Sequence, residues 1–334
     1  MKPILPEIML AVLLREDDGR LSARHVPLPK PQAGEVLIKM ASAPINPSDL
    51  ARIKSVTEHA DRLTFIPGIE GCGRVVAHGN GLLPKFWQGK RVACTSFSNK
   101  SGTWAEYMVT QAWRCVPLPE DISDEQGSML LVNPMTAVAF FDKARREGHK
   151  AIINTASASS LGRMVELLSR KSRIPVIHIV RNLKQKTTLI NLGAKHILNS
   201  SEKSFSKDLN FLAFSLNATL VFDAVGGKLT RQLMLAVPPA SSIVIYGNLS
   251  GEQPEIDHRS LVTDNKKVTG FFLGNSLKEK GPVGTIRNIF HVRRLLKNEL
   301  TIPVQGRFPL EEAQEALDIY LGNMSAGKVL LIPK

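Results

Sequence analysis

Aromatic residues are scarce in this chain, at 6% of 334 residues, with three tyrosines and three tryptophans. The basic clusters, at Arg145-Arg146, Arg170-Lys171, Lys184 to Lys186, Lys266-Lys267 and Arg293-Arg294, do not alternate with aromatics. That argues against a single-strand nucleic-acid binder, which needs rings to stack bases between its cations. Cysteine is equally sparse. Cys72, Cys94 and Cys115 are odd in number and lack CxxC or Cys/His spacing, so neither a disulfide framework nor a structural zinc site is expected, and a cytoplasmic, reducing setting fits. No apolar run reaches membrane-spanning length. Ile8 to Leu14 is cut off by Arg15, Glu16 and Asp17 after about seven residues, too short for a span or an export signal, and reads as an edge strand.

Acidic residues are outnumbered, 30 against 43 Lys and Arg, for a formal charge of +13. Such a surface suits nucleic acid, anionic lipid or phosphorylated small molecules. Composition alone does not choose among them, and a dispersed, solvated basic surface is the plain reading. Hydrophobic residues at 43% and charged residues at 22% are ordinary for a globular chain, and the length predicts about two domains.

The chain has two textures. From Leu10 to Val116, short β-rich runs broken by Pro and Gly, such as EVLIKMASAPI and GCGRVVAHG, predict a partly closed β-barrel-like domain. After Asp124, strands are expected at 151–154, 176–180, 196–198, 219–222 and 242–246, with helices between them, which makes a doubly wound parallel sheet. The tail adds a strand VTGFFL at 268–273, helices over 285–298 and 310–321, and a last strand KVLLIP that returns to the first domain.

Within the second half, KAIINTASASSLGRMVELLSRKSRIPVIHIVRN, Lys150 to Asn182, reads as strand, small-residue turn, amphipathic helix, strand. This is half of a dinucleotide-binding unit. Its G-x-G-x-x-G pattern is degraded, with Ala156, Ala158, Ser159 and Ser160 in the turn and Gly162 keeping the glycine that permits close helix packing. Ser159, Ser160, Leu161 and Gly162 open the helix where backbone N–H groups and the dipole favour a pyrophosphate. A plain serine-capped turn is the competing reading. The second strand ends in Arg181, where NAD-specific units carry an acid for the ribose 2′-hydroxyl. A guanidinium there meets a 2′-phosphate, with Asn182 and Lys184 beside it, so the expected cofactor is NADPH.

With these pieces in order, the chain resembles the zinc-free branch of the medium-chain dehydrogenase/reductase superfamily, among quinone oxidoreductase and 2-enoyl-thioester reductase relatives. The strings that carry the resemblance are INPSDL at Ile45, PGIEGCGRVVAHGNG at Pro67, GTWAEY at Gly102, NPMTA at Asn133, FDAVGG at Phe222, YGNLSG at Tyr246 and SAGKVLL at Ser325. The resemblance implies a GroES-like catalytic domain of residues 1–124 with 275–334 and a Rossmann cofactor domain of residues 125–274. Zinc-dependent members hold their metal with a cysteine and a Gly-His-Glu element. INPSDL stands at the first place and Ile69 replaces the histidine at the second, so no metal site is expected.

Without a metal, the reaction implied is hydride transfer to an already electrophilic carbon, in a quinone or an α,β-unsaturated carbonyl compound. Negative charge then develops on the conjugated oxygen and needs a preorganised donor. The resemblance places Asn46 there; a turn formed by Asn46-Pro47 is the alternative. It further assigns Thr136, Val225, Tyr246, Phe272 and Leu273 to the cofactor, against plain roles in helix start, turn or packing. Lys328 is either a cofactor contact or a solvated lysine. No tyrosine lies between Asp49 and Pro67, where thioester reductases carry one, and His59 is the nearest titratable side chain there. A 2-enoyl-thioester reductase is therefore the second enzymatic reading, and a non-catalytic NADPH-sensing or RNA-binding protein the reading of another class. No membrane or nucleic-acid partner is expected, while the apolar strand at 268–273 predicts a homodimer paired along the cofactor sheet's edge.

Overall fold

The computed structural model describes residues 4–15, 18–57, 64–96, 98, 100–298 and 302–334; His59 lies outside them. Within the last long helix, backbone alone is described at 282, 283, 285, 286, 293 and 295–298. The chain divides into two compact units, Met1–Val132 with Arg293–Lys334, and Asn133–Val292.

The first unit begins with β1 (Ile8–Leu14) and β2 (Leu21–Pro27), an antiparallel pair that confirms the early apolar patch as a strand. Next come β3 (Glu35–Pro44), α1 (Pro47–Thr57), β4 (Glu70–His78), α2 (Leu82–Trp87), β5 (Arg91–Thr95), β6 (Tyr107–Gln111), β7 (Cys115–Pro117) and α3 (Asp124–Ser128). β3 pairs antiparallel with both β4 and β6, and β5 joins β4 to β7. Helix α1 was not expected from a stretch with little helical periodicity. Pro47 supplies a favourable first helical residue, and the Asp49 carboxylate accepts from the Asn46 N–H at 2.8 Å just ahead of it.

The second unit runs through α4 (Val132–Arg146), β8 (Ile152–Asn154), α5 (Ser160–Ser172), β9 (Val176–Val180), α6 (Leu183–Asn191), β10 (His196–Asn199), α7 (Phe205–Ser215), β11 (Leu220–Asp223), α8 (Gly227–Ala236), β12 (Ser242–Ile245), α9 (His258–Thr263), β13 (Lys267–Gly270) and α10 (Leu273–Asn298), whose last residues belong to the first unit. Its six strands are all parallel, in the order β10-β9-β8-β11-β12-β13. That is the 3-2-1-4-5-6 order of the doubly wound dinucleotide fold, in which ligands bind beyond the strands' carboxyl ends where the order reverses. The central strands β9, β8 and β11 are short and buried throughout, as in VIHIV of β9, because helices cover both sides.

One expected strand needs correction. VTGFFL does not continue to Leu273: β13 stops at Gly270, Phe271 turns back to pack edge-on against Phe140 with ring centroids 5.2 Å apart, and helix begins at Leu273. Apolarity over six residues did not separate a strand from a strand followed by a helix start. The helix expected over 285–298 begins twelve residues earlier and bends at Gly281, whose φ is 65°.

The chain returns to the first unit with β14 (Val304–Phe308), α11 (Ala313–Gly322) and β15 (Lys328–Leu331). β15 lies between β14 and β3, completing a seven-stranded sheet among the described residues. Beneath it Phe65, Trp104, Leu317 and Tyr320 pack with Val329 and Leu331 in one apolar core. The late strand therefore places Lys328 beside Asn46, 282 positions earlier, a fact that governs the site.

Candidate active site and nucleotide site

In the first unit, four polar side chains meet where the apolar core ends. Asn46, Asp49, Glu70 and Lys328 are all buried, with no more than 2% of their surface exposed. The Asn46 amide donates to Glu70 Oε1 at 3.0 Å, and its oxygen accepts from the Lys328 ammonium. These two contacts fix which way the amide faces. Glu70 Oε2 accepts from the Leu131 and Val132 N–H groups at 3.1 and 2.8 Å, while Asp49 Oδ1 accepts from Ile69 N–H at 2.8 Å.

Two carboxyls and one ammonium in this enclosure shift one another's protonation. Burial pushes the Asp49 carboxyl up to about 7, against the opposing pull of the Asn46 N–H and Lys328. Burial likewise raises Glu70 and lowers Lys328, each partly offset by the opposite charge nearby. Tyr320, reaching the region from α11, is raised by burial and by Asp49. Lys328 is therefore not solvated. Asn46-Pro47 does more than shape a turn, since its side chain joins two ionisable groups. Ser48, two residues on, has a buried hydroxyl without a hydrogen-bond partner.

The remaining sequence-derived positions lie in the second unit, mostly beyond the carboxyl ends of its strands. Ser159 is the N-cap of α5, its oxygen accepting from Gly162 N–H at 3.2 Å. Ser160 and Leu161 open the same helix. A Cβ on Gly162 would come within 2.1 Å of the Ser157 carbonyl oxygen, so glycine is required for the close helix approach. Arg181 is exposed just after β9, its N–H held by the Gln185 side chain at 3.1 Å. Asn182 caps α6 through Oδ1, accepting from Gln185 N–H at 2.9 Å.

After β11, Asp223 organises the next turn. It accepts from the hydroxyls of Thr155 at 3.0 Å and Thr230 at 2.7 Å, from Val225 N–H at 2.9 Å and from Gly226 N–H at 3.3 Å. Val225 is thus held just past the carboxyl end of the central strand β11, with Gly226 and Gly227 at positive φ, 77° and 58°. Tyr246 follows β12 and packs edge-on against Phe140 at 5.0 Å; burial raises its phenol. Thr136 is buried on α4, Leu273 half-buried, and Phe272 is 70% exposed. Thr136, Ser159 to Gly162, Arg181, Asn182, Val225, Tyr246, Phe272 and Leu273 all belong to this unit, and Asn46 to the other.

Sequence reasoning missed the partners of Asn46. Asp49 and Glu70 were in quoted motifs, INPSDL and GIEG, but a pairing between residues 46 and 328 leaves no periodic trace. It also missed His178 on β9, buried and paired with Glu166 of α5 at 2.8 Å, because VIHIV reads as an apolar strand.

A GroES-like sheet unit and a parallel dinucleotide-binding unit in one chain define a class, and the chain belongs to the medium-chain dehydrogenase/reductase superfamily, in the group of quinone oxidoreductase and enoyl-thioester reductase relatives. Residues 32–120 match the alcohol dehydrogenase GroES-like domain and residues 160–287 the zinc-binding dehydrogenase family. The chain is 31% identical to the mitochondrial enoyl-[acyl-carrier-protein] reductase of Bos taurus, over 85% of this chain and 77% of that protein. A crystal structure from Mesorhizobium loti described as a candidate NADPH:quinone reductase is 30% identical, with a TM-score of 0.91 over 99% of this chain and all of that one. A second candidate NADPH:quinone reductase, from Bacillus thuringiensis, is 26% identical with a TM-score of 0.84, over 97% of this chain and 98% of that one.

Proposed function

We propose that the chain is an NADPH-dependent oxidoreductase that delivers hydride to a quinone or to an activated C=C bond conjugated to a carbonyl. The observation that carries this reading is Arg181, exposed where β9 ends and where an NAD-specific unit needs a carboxylate. Its guanidinium, with the exposed Asn182 and Lys184, would hold the 2′-phosphate, and the opening residues of α5 the pyrophosphate. Bound in this way, the cofactor supplies hydride from its nicotinamide ring.

Asn46 is assigned to stabilise the negative charge that develops on the acceptor oxygen. Lys328 and Glu70 hold its amide in one orientation, so the donor needs little reorganisation during the reaction. Asp49, pushed up to about 7, gains and loses its proton near neutral pH and is the titratable group nearest this amide in sequence. Thr136, Val225, Phe272 and Leu273 are assigned to the nicotinamide and its ribose, and Tyr246 to the adenosine side of the cofactor.

The reaction is proposed to be independent of zinc. The donor set does not fit that metal: Cys72, Cys94 and Cys115 are buried free thiols, and no three His, Cys, Asp or Glu side chains among the described residues come together as ligands. Where a cation would balance Asp49 and Glu70, the Lys328 ammonium already does so.

A 2-enoyl-thioester reductase is the second reading, favoured by the bovine relative. We further propose a cytoplasmic homodimer joined along β13, the edge strand, whose Lys267, Thr269 and Gly270 are exposed. Sedimentation showing only a 36.7 kDa species at micromolar concentration would remove the dimer.

The test is a titration with NADPH and with NADH, followed by 1,4-naphthoquinone, an enone and crotonyl-CoA while nicotinamide absorbance is recorded. Preferred NADPH binding and oxidation by one acceptor class are expected, and the acceptor decides between the two readings. Failure to bind either nucleotide would overturn the assignment; tight binding without turnover would replace the enzyme with a nucleotide sensor.

A further inference from the structure

Helix α2 carries an exposed apolar surface that neither the site nor the core uses. Leu82 is 91% exposed, Phe86 58% and Leu83 43%, while Pro84 and Trp87 on the same short helix are buried. The turn at 112–114 packs against it, with Trp87 Nε1 donating to the Ala112 carbonyl at 2.9 Å. That turn presents Trp113, 66% exposed. These side chains protrude: a leucine nine-tenths exposed stands on a convex point, and no groove receives it.

The surroundings are cationic. Lys90 sits over the Phe86 ring at 3.1 Å, and the Arg114 guanidinium lies 4.5 Å from the Trp113 ring centre. Lys85 is exposed on the same helix, and Arg74 donates to the Gly89 carbonyl beside it at 2.7 Å. Among the described residues, Arg74, Lys85 and Lys90 have no carboxylate at ion-pair distance. From Gly71 to Pro119 there is one acid, Glu106, whose carboxylate accepts from Leu10 N–H at 2.6 Å. Glu35, opposite Gln111 on the neighbouring strand, is tied to Gln111 at 3.1 Å and to Gln32 N–H at 2.9 Å.

We propose that this face docks on an anionic lipid surface, with Leu82, Phe86 and Trp113 entering the headgroup layer and Arg74, Lys85 and Lys90 meeting lipid phosphates and carboxylates. Protruding leucine and aromatic tips ringed by long cations are what an interfacial anchor needs, since the tips bury in the acyl boundary while the ammonium groups remain at headgroup depth. A second copy would bring like charges together. A peptide partner calls for a groove or an open strand edge, and this convex face offers neither. No helix among the described residues is long and apolar enough to cross a membrane, so the attachment is peripheral. The net charge of +13 adds long-range attraction, but the site of contact is set by the apolar tips.

The chain supplies its own probe, because Trp113 is exposed while Trp87 and Trp104 are buried. The intact protein is mixed with vesicles of phosphatidylcholine alone, or containing about one-third phosphatidylserine, and both tryptophan emission and co-sedimentation are followed. A blue shift is expected with the anionic vesicles, with affinity higher by about fivefold for each engaged cation and reversal at high salt. Leu82→Asp with Phe86→Asp, and separately Lys85→Glu with Lys90→Glu, should each abolish co-sedimentation without changing the melting temperature, since Leu82, Lys85 and Phe86 are exposed and Lys90 partly so. No binding, equal binding to both vesicle types, or saturable binding of polyglutamate tighter than that of the vesicles would overturn the proposal. So would an equal loss from the control Lys203→Glu with Lys207→Glu, which lowers net charge in the other unit.

Discussion

The two units each bury a polar cluster at the place where the candidate chemistry is assigned, and the clusters are built on opposite principles. In the second unit Asp223 is one carboxylate surrounded by neutral donors, two hydroxyls and two backbone N–H groups, from the adjoining turns and from Thr230 on α8. Such a group is satisfied by local structure. In the first unit Asp49 and Glu70 face a single ammonium that arrives on the last strand, and an amide joins Lys328 to Glu70. That cluster depends on charge balance between distant parts of the chain. The difference separates a turn fixed by neutral donors, next to positions proposed for the nucleotide, from a titratable set that holds the Asn46 amide.

Removing the ammonium is the severest way to break this contrast. Lys328→Met leaves two buried carboxyls and the Asn46 oxygen without their cation, and should cost about 3–5 kcal/mol in urea unfolding at pH 8, the range for stripping one partner from a buried pair. The loss should shrink toward pH 5, where the carboxyls take up protons. A uniform loss across pH would mean that packing, not charge, is what Lys328 supplies.

The pH dependence of the native protein sharpens the same point. A carboxyl raised in the folded state binds a proton that the unfolded chain releases. Asp49 therefore contributes stability that is present below its unfolded value and is lost as pH rises toward about 7. Glu70 is shifted in the same direction. Asp49→Asn should flatten this decline by up to about 1.4 kcal/mol per pH unit between roughly pH 4 and pH 7. Urea midpoints across that range read it directly, and parallel curves for the two proteins would remove Asp49 as the titrating group.

On the other side of the comparison, Asp223→Ala orphans the Thr155 and Thr230 hydroxyls and the Val225 and Gly226 N–H groups. About 3 kcal/mol should be lost, from several unsatisfied donors partly relieved by water. The effect should be independent of pH between 5 and 8, unlike that at Lys328. Asp223→Asn, which keeps an acceptor, should recover part of it.

The second cluster was far more legible in the sequence than the first. FDAVGG announces a strand ending in an acid before two glycines, and every donor to Asp223 except Thr155 lies within seven residues of it. The parallel sheet was readable for the same reason, because each of its units is local: an apolar run, a turn and an amphipathic helix. β13 was the exception, where Phe271 turned inward against Phe140 and the apolar run continued past the strand. Asn46 could be singled out from its motif, but its partner Lys328 could not. GKVLL shows a strand after a glycine, and nothing in that string tells whether the lysine faces water or meets an amide just past the end of the neighbouring strand β3. Closing a sheet with the chain's last strand is a tertiary event, and buried charge pairs form across such closures without leaving a spacing.

Arg181 stands outside both clusters and gives the cleanest separation of binding from stability. It is exposed, its backbone rather than its guanidinium is engaged by Gln185, and neither buried network includes it. Arg181→Ala should therefore leave the urea midpoint unchanged within about 0.5 kcal/mol, as surface substitutions do. Its effect should fall on NADPH alone, weakening that cofactor by about 2 kcal/mol, or some thirtyfold, through loss of a charge-assisted phosphate contact. NADH, which lacks the 2′-phosphate, should bind as before. Equal weakening of both nucleotides would assign Arg181 to the ribose or the turn instead, and no change in either would move the phosphate contact to Lys184 or elsewhere. Because the fold stays intact in each case, the result bears on cofactor choice without any contribution from stability.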